Sequence, residues 1–314
     1  MMEKKFPTYD QQIEKLQKEK QLTISDVPAA IHMLEHISYY SLIGGYKDLF
    51  KHKPSGKYLH GVTFEEIVAF YYFDEGLRNL FLKYILQVER HLKSLISYHF
   101  CEKFGENQTE YLNPANFNSA KKNQRAVGRL IHSMQNCISM PSHYNYITHY
   151  SRHYNNVPLW VAMNAVTFGQ LSAFYQYMPN EVQVKVSKYF PGYTEKQLHQ
   201  FITIIAKCRN VCAHGERLYD FRTYDTIPDT LLHRKLSIPL KKGSYMLGKH
   251  DLFAVVLSLK YLISNDDFKD FKRRLSKLIK QVLKQCPHIT RTQLLKEMGF
   301  LENWEKINRY KLFM

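Results

Sequence analysis

The chain has 314 residues, 45% of them hydrophobic, with 23 Tyr and 19 Phe. That is enough for a substantial core in one large or two ordinary domains, and it excludes a disordered chain. No apolar run reaches the roughly 18 residues of a membrane span. The N-terminus "MMEKKFPTYDQQIEKLQKEKQ" carries no apolar segment for a secretory signal, so a cytoplasmic protein with no membrane partner is expected. The net charge of +16 brings self-repulsion and points to an anionic partner, whether nucleic acid, an acidic protein or a membrane surface. Solubility alone is the plainer account.

Taken in chain order, the pattern is helical almost throughout. Residues 8–19 suit a polar helix, with Thr8 and Gln11 spaced as a capping box. Ser25 or Asp26 can cap a second helix, with Pro28 in its first turn and Ile31, Leu34 and Ile37 on one face. "SLIGGYKDLFKHKPSGKYLHG" breaks regularity with glycine-bearing turns and a proline. Thr63 and Glu66 form a second capping-box pair, and a 3.6-residue apolar period then runs to about Phe100, with a break expected near Gly76. "GENQTEYLNPANF" reads as a loop, and residues 120–138 as a helix bearing Lys121, Lys122, Arg125 and Arg129. "PLWVAMNAVTFGQLSAFYQYM" is a helix pair or one helix kinked near Gly169. Thr194 and Gln197 box a helix that ends at Gly215. Residues 228–249 allow a small hairpin, and further helices fill about 250–285 and 290–311. The fold class expected is all-α, with an N-terminal segment at 1–62, a core at 63–222 and a C-terminal extension at 223–314.

The five cysteines, Cys101, Cys137, Cys208, Cys212 and Cys286, are odd in number and scattered. They suit small core residues better than disulfides or a zinc site. His149 and His153 stand at i,i+4, but no carboxylate accompanies them, so no metal or other cofactor is expected.

The stretch "AKCRNVCAHGERLYD" carries the chemistry. Metal-free RNA cleavage needs a base for the ribose 2′-hydroxyl and a cation for the charge building on phosphate. Histidine titrates near neutrality and suits the first task. Arginine presents a permanently charged planar fork and suits the second. Arg209 and His214 are the minimal pair, and Asn210 and Arg217 can add donors. Five residues along an ideal helix is about 140° of rotation. The two side chains therefore share no face unless the helix ends at His214 or two copies meet across a dimer axis. The bland alternative is a histidine bracing a helix end. Spacing alone is weak: Arg125 to His132 in "RAVGRLIH" is a second such pattern with nothing else to recommend it.

"RNVCAHGERLYD" resembles the signature of the Abi-like (abortive infection) protein family, whose all-helical core is placed in the HEPN superfamily. Other blocks agree and keep the family's order. "SYYSLIGGYKDLF" is similar to its N-terminal block, "YYFDEGLRNLFLKYILQVERHL" to its central block with Phe-Asp, Leu-Arg and Glu-Arg, and "PLWVAMNAVTFGQLSAFYQYM" to its Pro-Leu-Trp and Phe-Gly-Gln-Leu segment. The resemblance covers roughly residues 10–222. It implies a HEPN-like helical bundle and metal-independent ribonuclease chemistry, with Arg209 and His214 as catalytic pair in a homodimeric, composite site, within bacterial defence against phage. Asn210 and Arg217 match flanking polar positions of the motif. The family's Trp segment often carries a Glu where this chain has Asn164, which leaves Glu89 as the acidic helper. Glu89 is equally well read as a helix-surface partner of Lys93 at i+4.

RNA is the expected partner. Lys121, Lys122, Arg125 and Arg129 form one candidate phosphate strip. Lys272 and Arg273, in the amphipathic "DFKDFKRRLSKLIKQVLKQ", form another, although such helices commonly just pack with a solvated charged face. The stretch "SMPSHYNYITHYSRHYNN" reads as an exposed loop in which Arg152 and several aromatics could meet RNA. Two rivals share the fold: a non-catalytic protein holding a non-coding RNA, and a protein-interaction module whose charge faces an acidic partner.

Overall fold

Thr8 opens α1 (Tyr9–Glu14) through the reciprocal Thr8–Gln11 capping box, and a π-helical turn (Lys15–Glu19) continues it. Asp26, not Ser25, caps α2 (Val27–Ile37). The glycine-bearing stretch that follows is irregular, with a π-helical turn at Tyr40–Gly44 and a 3₁₀ turn at Asp48–Phe50. Thr63 and Glu66 then box the start of α3 (Phe64–Phe104), one helix of 41 residues. The computed structural model describes residues 6–118, 120–190 and 192–310, and α3 is the spine of its all-α fold.

The break expected near Gly76 is absent. A Cβ at Gly76 would sit 3.1 Å from Leu278 Cδ2, so the missing side chain lets a second helix lie close rather than ending the first. The stretch expected to be a loop after α3 contains a single-turn helix, α4 (Gln108–Tyr111), capped by Asn107. Next comes α5 (Gln124–Ile138), which starts later than expected and leaves Lys121 and Lys122 in the turn before it. The tyrosine- and histidine-rich stretch expected to be a loop folds instead as α6 (Asn145–Tyr154). Tyr146, Ile147 and Tyr150, spaced at one helical turn, are enough to seat one face on the core despite the polar remainder.

The Trp segment is a helix pair, α7 (Leu159–Ala162) and α8 (Phe168–Tyr177). The break falls at Thr167, which caps α8 reciprocally with Gln170; Gly169 lies inside the first turn and makes no kink. There follow α9 (Asn180–Ser187) and α10 (Glu195–Ala213), the latter boxed by Thr194 and Gln197. A short α11 (Leu231–Lys235) precedes the expected hairpin, in which β1 (Leu240–Lys241) pairs antiparallel with β2 (Ser244–Tyr245). Lys242 and Gly243 turn it with positive φ at both positions, as a two-residue hairpin loop requires. The described residues end with α12 (Leu252–Leu262), buried along its whole length, then α13 (Asn265–Gln285), α14 (Arg291–Met298) and a 3₁₀ turn at Trp304–Arg309.

Both α10 and α13 lie on α3 and run antiparallel to it. Along α10, Arg209 faces Glu89, and Leu218, just beyond the helix, faces Asp74. Along α13, Tyr84 donates to Asp270 at 2.6 Å and the Cys286 thiol donates to the Glu66 carbonyl oxygen at 3.3 Å. Helices α8, α9 and α12 cover α10. Buried side chains from all three expected segments form one contiguous cluster. All five cysteines are free thiols, and Cys208, Cys212 and Cys286 are buried in that cluster.

Candidate functional site

The end of α10 is set by local chemistry. Gly215 takes φ +69°, its N–H donates to the Cys212 carbonyl, and the Glu216 N–H donates to the Val211 carbonyl at 3.0 Å. This double return is a Schellman ending, which needs a residue tolerant of the left-handed region immediately after the cap. His214 is that cap: its N–H donates to the Asn210 carbonyl at 2.9 Å, and its ring stands exposed. The helix thus ends at His214 as expected, with Arg209 still inside it. No hydrogen bond joins Arg209 to His214 among the described residues.

The tail after the helix is bolted to α3. Asp74, fully buried, accepts the N–H groups of Leu218 (3.1 Å) and Tyr219 (2.6 Å), the Tyr46 hydroxyl (2.8 Å) and the Arg78 guanidinium (2.6 Å). Arg78 also reaches the Glu216 carbonyl at 3.4 Å. Burial, with the Asp74 charge beside it, pushes the Tyr46 pKa up, which keeps the hydroxyl protonated as a donor. Arg217 donates through Nε to Asp220 (3.1 Å) and through a terminal nitrogen to the Gly45 carbonyl (2.7 Å). Its fork is committed to bracing the tail against the Tyr40–Gly44 turn. The sequence reading missed this network, yet a signal was present. Asp74 and Arg78 interrupt the apolar stripe of Ile67, Phe70, Leu77 and Phe81, and a charged pair on a core stripe must be satisfied internally.

Fifteen residues further along α3, Glu89 is buried rather than on the helix surface. One oxygen takes the Lys93 ammonium at 3.0 Å. The other stands 3.9 Å from Arg209 Nε, beyond hydrogen-bond reach, and both of those atoms are buried without a hydrogen-bond partner. The i+4 pairing with Lys93 is thus present, but on a buried rather than a surface carboxylate. Arg209 is partly exposed, and no described residue accepts a hydrogen bond from its terminal guanidinium nitrogens. Asn210 is exposed beside it. Cys208 offers no rival nucleophile, because burial raises its thiol pKa well above the ordinary value. Asn164 caps the end of α7, its amide donating to the Trp160 and Val161 carbonyls at 3.1 and 3.2 Å, a task no carboxylate could perform.

The basic residues are distributed over separate surfaces. Lys121 and Lys122 in their turn, and Arg125 and Arg129 on α5, are all exposed. Arg152 is exposed in the last turn of α6. Lys272 and Arg273 lie on α13 at a groove of about 520 Å³ that also takes in Lys269, Lys277 and Lys280. Arg273 is paired with Asp270, whereas Lys272 has no carboxylate partner among the described residues. Among those residues there is no cluster of metal-binding side chains, and no helix is long and apolar enough to cross a membrane.

A family model described as Abi-like protein matches residues 32–220, more than half of the chain. No curated protein and no solved structure matches it. The matched span takes in the Tyr40–Gly44 turn, all of α3 and α10, and the tail to Asp220, hence every residue gathered around Asp74 and Glu89. On that match the chain belongs to the Abi-like protein family.

Proposed function

We propose that this Abi-like protein is a metal-independent endoribonuclease of the HEPN type, acting in phage defence by abortive infection. The observation that carries this reading is an exposed His214, held at a fixed helix end, five residues from an arginine whose terminal nitrogens have no acceptor among the described residues. His214 takes the proton of the ribose 2′-hydroxyl, and the 2′-oxygen attacks the adjacent phosphorus. The bond from phosphorus to the 5′-oxygen breaks, and His214, now protonated, gives its proton to that leaving oxygen. The products are a 2′,3′-cyclic phosphate and a 5′-hydroxyl. Arg209 binds the non-bridging phosphate oxygens and stabilises the pentacoordinate state. Glu89 orients Arg209 through Nε, and their 3.9 Å gap closes when substrate arrives, as loose unliganded contacts often do. Arg217 and Asn210 support the helix end. A second copy completes the groove, bringing two Arg209 and two His214 together. Lys121, Lys122, Arg125, Arg129, Arg152, Lys272 and Arg273 hold the RNA backbone.

The test is cleavage of a mixed cellular RNA pool in EDTA, wild type beside His214→Ala, with product ends analysed. Wild type is expected to cut and leave cyclic phosphates, and the variant to be inert. An absolute need for divalent metal would falsify the mechanism.

A second reading, a non-catalytic RNA-binding protein of the same family, is favoured by Asn164, which stands where the family pattern often has an acid and is engaged in capping α7. It predicts salt-sensitive RNA binding that survives His214→Ala and no cleavage by either form.

A further inference from the structure

Beside the helix end, three segments distant in sequence enclose a groove of about 500 Å³. One wall is the Tyr40–Gly44 turn, the floor is Tyr46 and Tyr71, and the other wall is Gly215 to Arg217, which begins one residue after His214. We propose that this groove is a nucleobase subsite, in which an unpaired base of the RNA next to the scissile phosphate stacks on Tyr40. The proposal rests on the ribonuclease reading for the identity of that RNA.

Four observations point this way. Tyr40 is 86% exposed, although a tyrosine is ordinarily drawn toward the core by its large apolar ring. Its ring is near Gly44, where an added Cβ would meet Tyr40 Cδ2 at 3.5 Å. A ring this exposed at the edge of a groove leaves a face open for an unpaired base to stack on. The floor is also aromatic and fixed, with the Tyr71 ring edge-on to Tyr46 at 5.4 Å and Tyr46 tied to Asp74. The two walls cannot drift apart, because Arg217 of one donates to the Gly45 carbonyl of the other at 2.7 Å, and Asp74 holds both Tyr46 and the tail. A preorganised groove loses little entropy when it binds. Finally, the volume lies in the range of small-molecule sites and fits a single nucleoside, not a duplex.

The experiment compares wild type, Tyr40→Ala and Tyr40→Phe. Tyr40 is so exposed that neither change should disturb folding. Binding is read with a single-stranded 2′-O-methyl oligonucleotide, which cannot be cleaved, and with its duplex; cleavage is read with the ribose oligonucleotide in EDTA. Tyr40→Ala is expected to weaken single-strand binding about tenfold, leave duplex binding unchanged and raise KM more than it lowers kcat. Tyr40→Phe should restore binding, because stacking needs the ring and not the hydroxyl. Wild-type affinity in Tyr40→Ala, an equal loss for single strand and duplex, or no single-strand binding by wild type would each overturn the proposal. Tyr40-dependent binding without cleavage would retain the subsite and sink the ribonuclease reading. Cleavage that is indifferent to Tyr40→Ala would do the reverse.

Discussion

Two buried carboxylates on α3, Asp74 and Glu89, lie about 22 Å apart along the helix axis and face the same antiparallel segment, yet they are treated oppositely. Asp74 has every lone-pair direction answered: two backbone N–H groups, a tyrosine hydroxyl and a guanidinium. Glu89 has one oxygen answered by Lys93 and one left facing an equally unanswered Arg209 Nε. A buried polar group without a partner is costly to stability, so it persists where something other than stability maintains it. The satisfied centre anchors the tail that follows His214. The unsatisfied one borders the arginine with an open fork. The contrast separates a satisfied structural centre from the centre proposed to do the chemistry, although both are acids on one helix with a cation nearby.

The largest expected effect is on the satisfied centre. Asp74→Ala leaves Arg78 buried without its counter-charge and frees two backbone donors, and it should lower unfolding stability by about 3–5 kcal/mol. Chemical denaturation measures this; a loss below about 1 kcal/mol would erase the distinction drawn above. Glu89→Gln should act on rate instead. Misorienting Arg209 is expected to lower kcat for RNA cleavage by about 100-fold, with a denaturation midpoint close to wild type. Should the variant lose stability and keep full activity per folded molecule, Glu89 belongs with Asp74 as scaffold.

A smaller effect sharpens the comparison with a third group. His233 is fully buried, with Nδ1 taking the Thr230 N–H at 3.1 Å and Nε2 bonded to the Gly248 carbonyl at 2.8 Å. Burial, the dominant cause, lowers its pKa from the ordinary value. The unfolded chain therefore takes up the proton first, near pH 6.5. The contribution of His233 to stability is complete above that pH and is lost as pH falls below it toward the folded value. Ring NMR should find that His233 takes up its proton at a lower pH than a histidine of the unfolded chain, with the denaturation midpoint declining below about pH 6.5. A ring that titrates no lower than the unfolded-chain value would remove this contribution.

Helix starts were legible because they are local. Thr8, Thr63 and Thr194 each found the acceptor three residues on that their sequence offered, and Gly215 ended α10 for reasons contained in residues 210–216. Gly76 and Gly169 misled for the complementary reason. A glycine inside a helix permits a break but does not impose one, and the outcome rested on Leu278, two hundred residues away, and on the Thr167 cap. The expected loop at α6 failed likewise, since three aromatic and aliphatic contacts outweighed a polar average.

At the site, the sequence by itself determined the residue types, their spacing, the basic charge and the helix end at His214, because these depend on covalent order and on hydrogen bonds within one turn. Only the tertiary structure decided what each charge means. Burial raises the penalty for an unmatched group, and the partners that meet it come from elsewhere in the chain: Tyr46 and the 218–219 backbone for Asp74, Gly45 for Arg217. The same long-range packing leaves Glu89 and Arg209 short of each other and holds Tyr40 out in solvent, a distribution of satisfied and unsatisfied groups that no local pattern encodes.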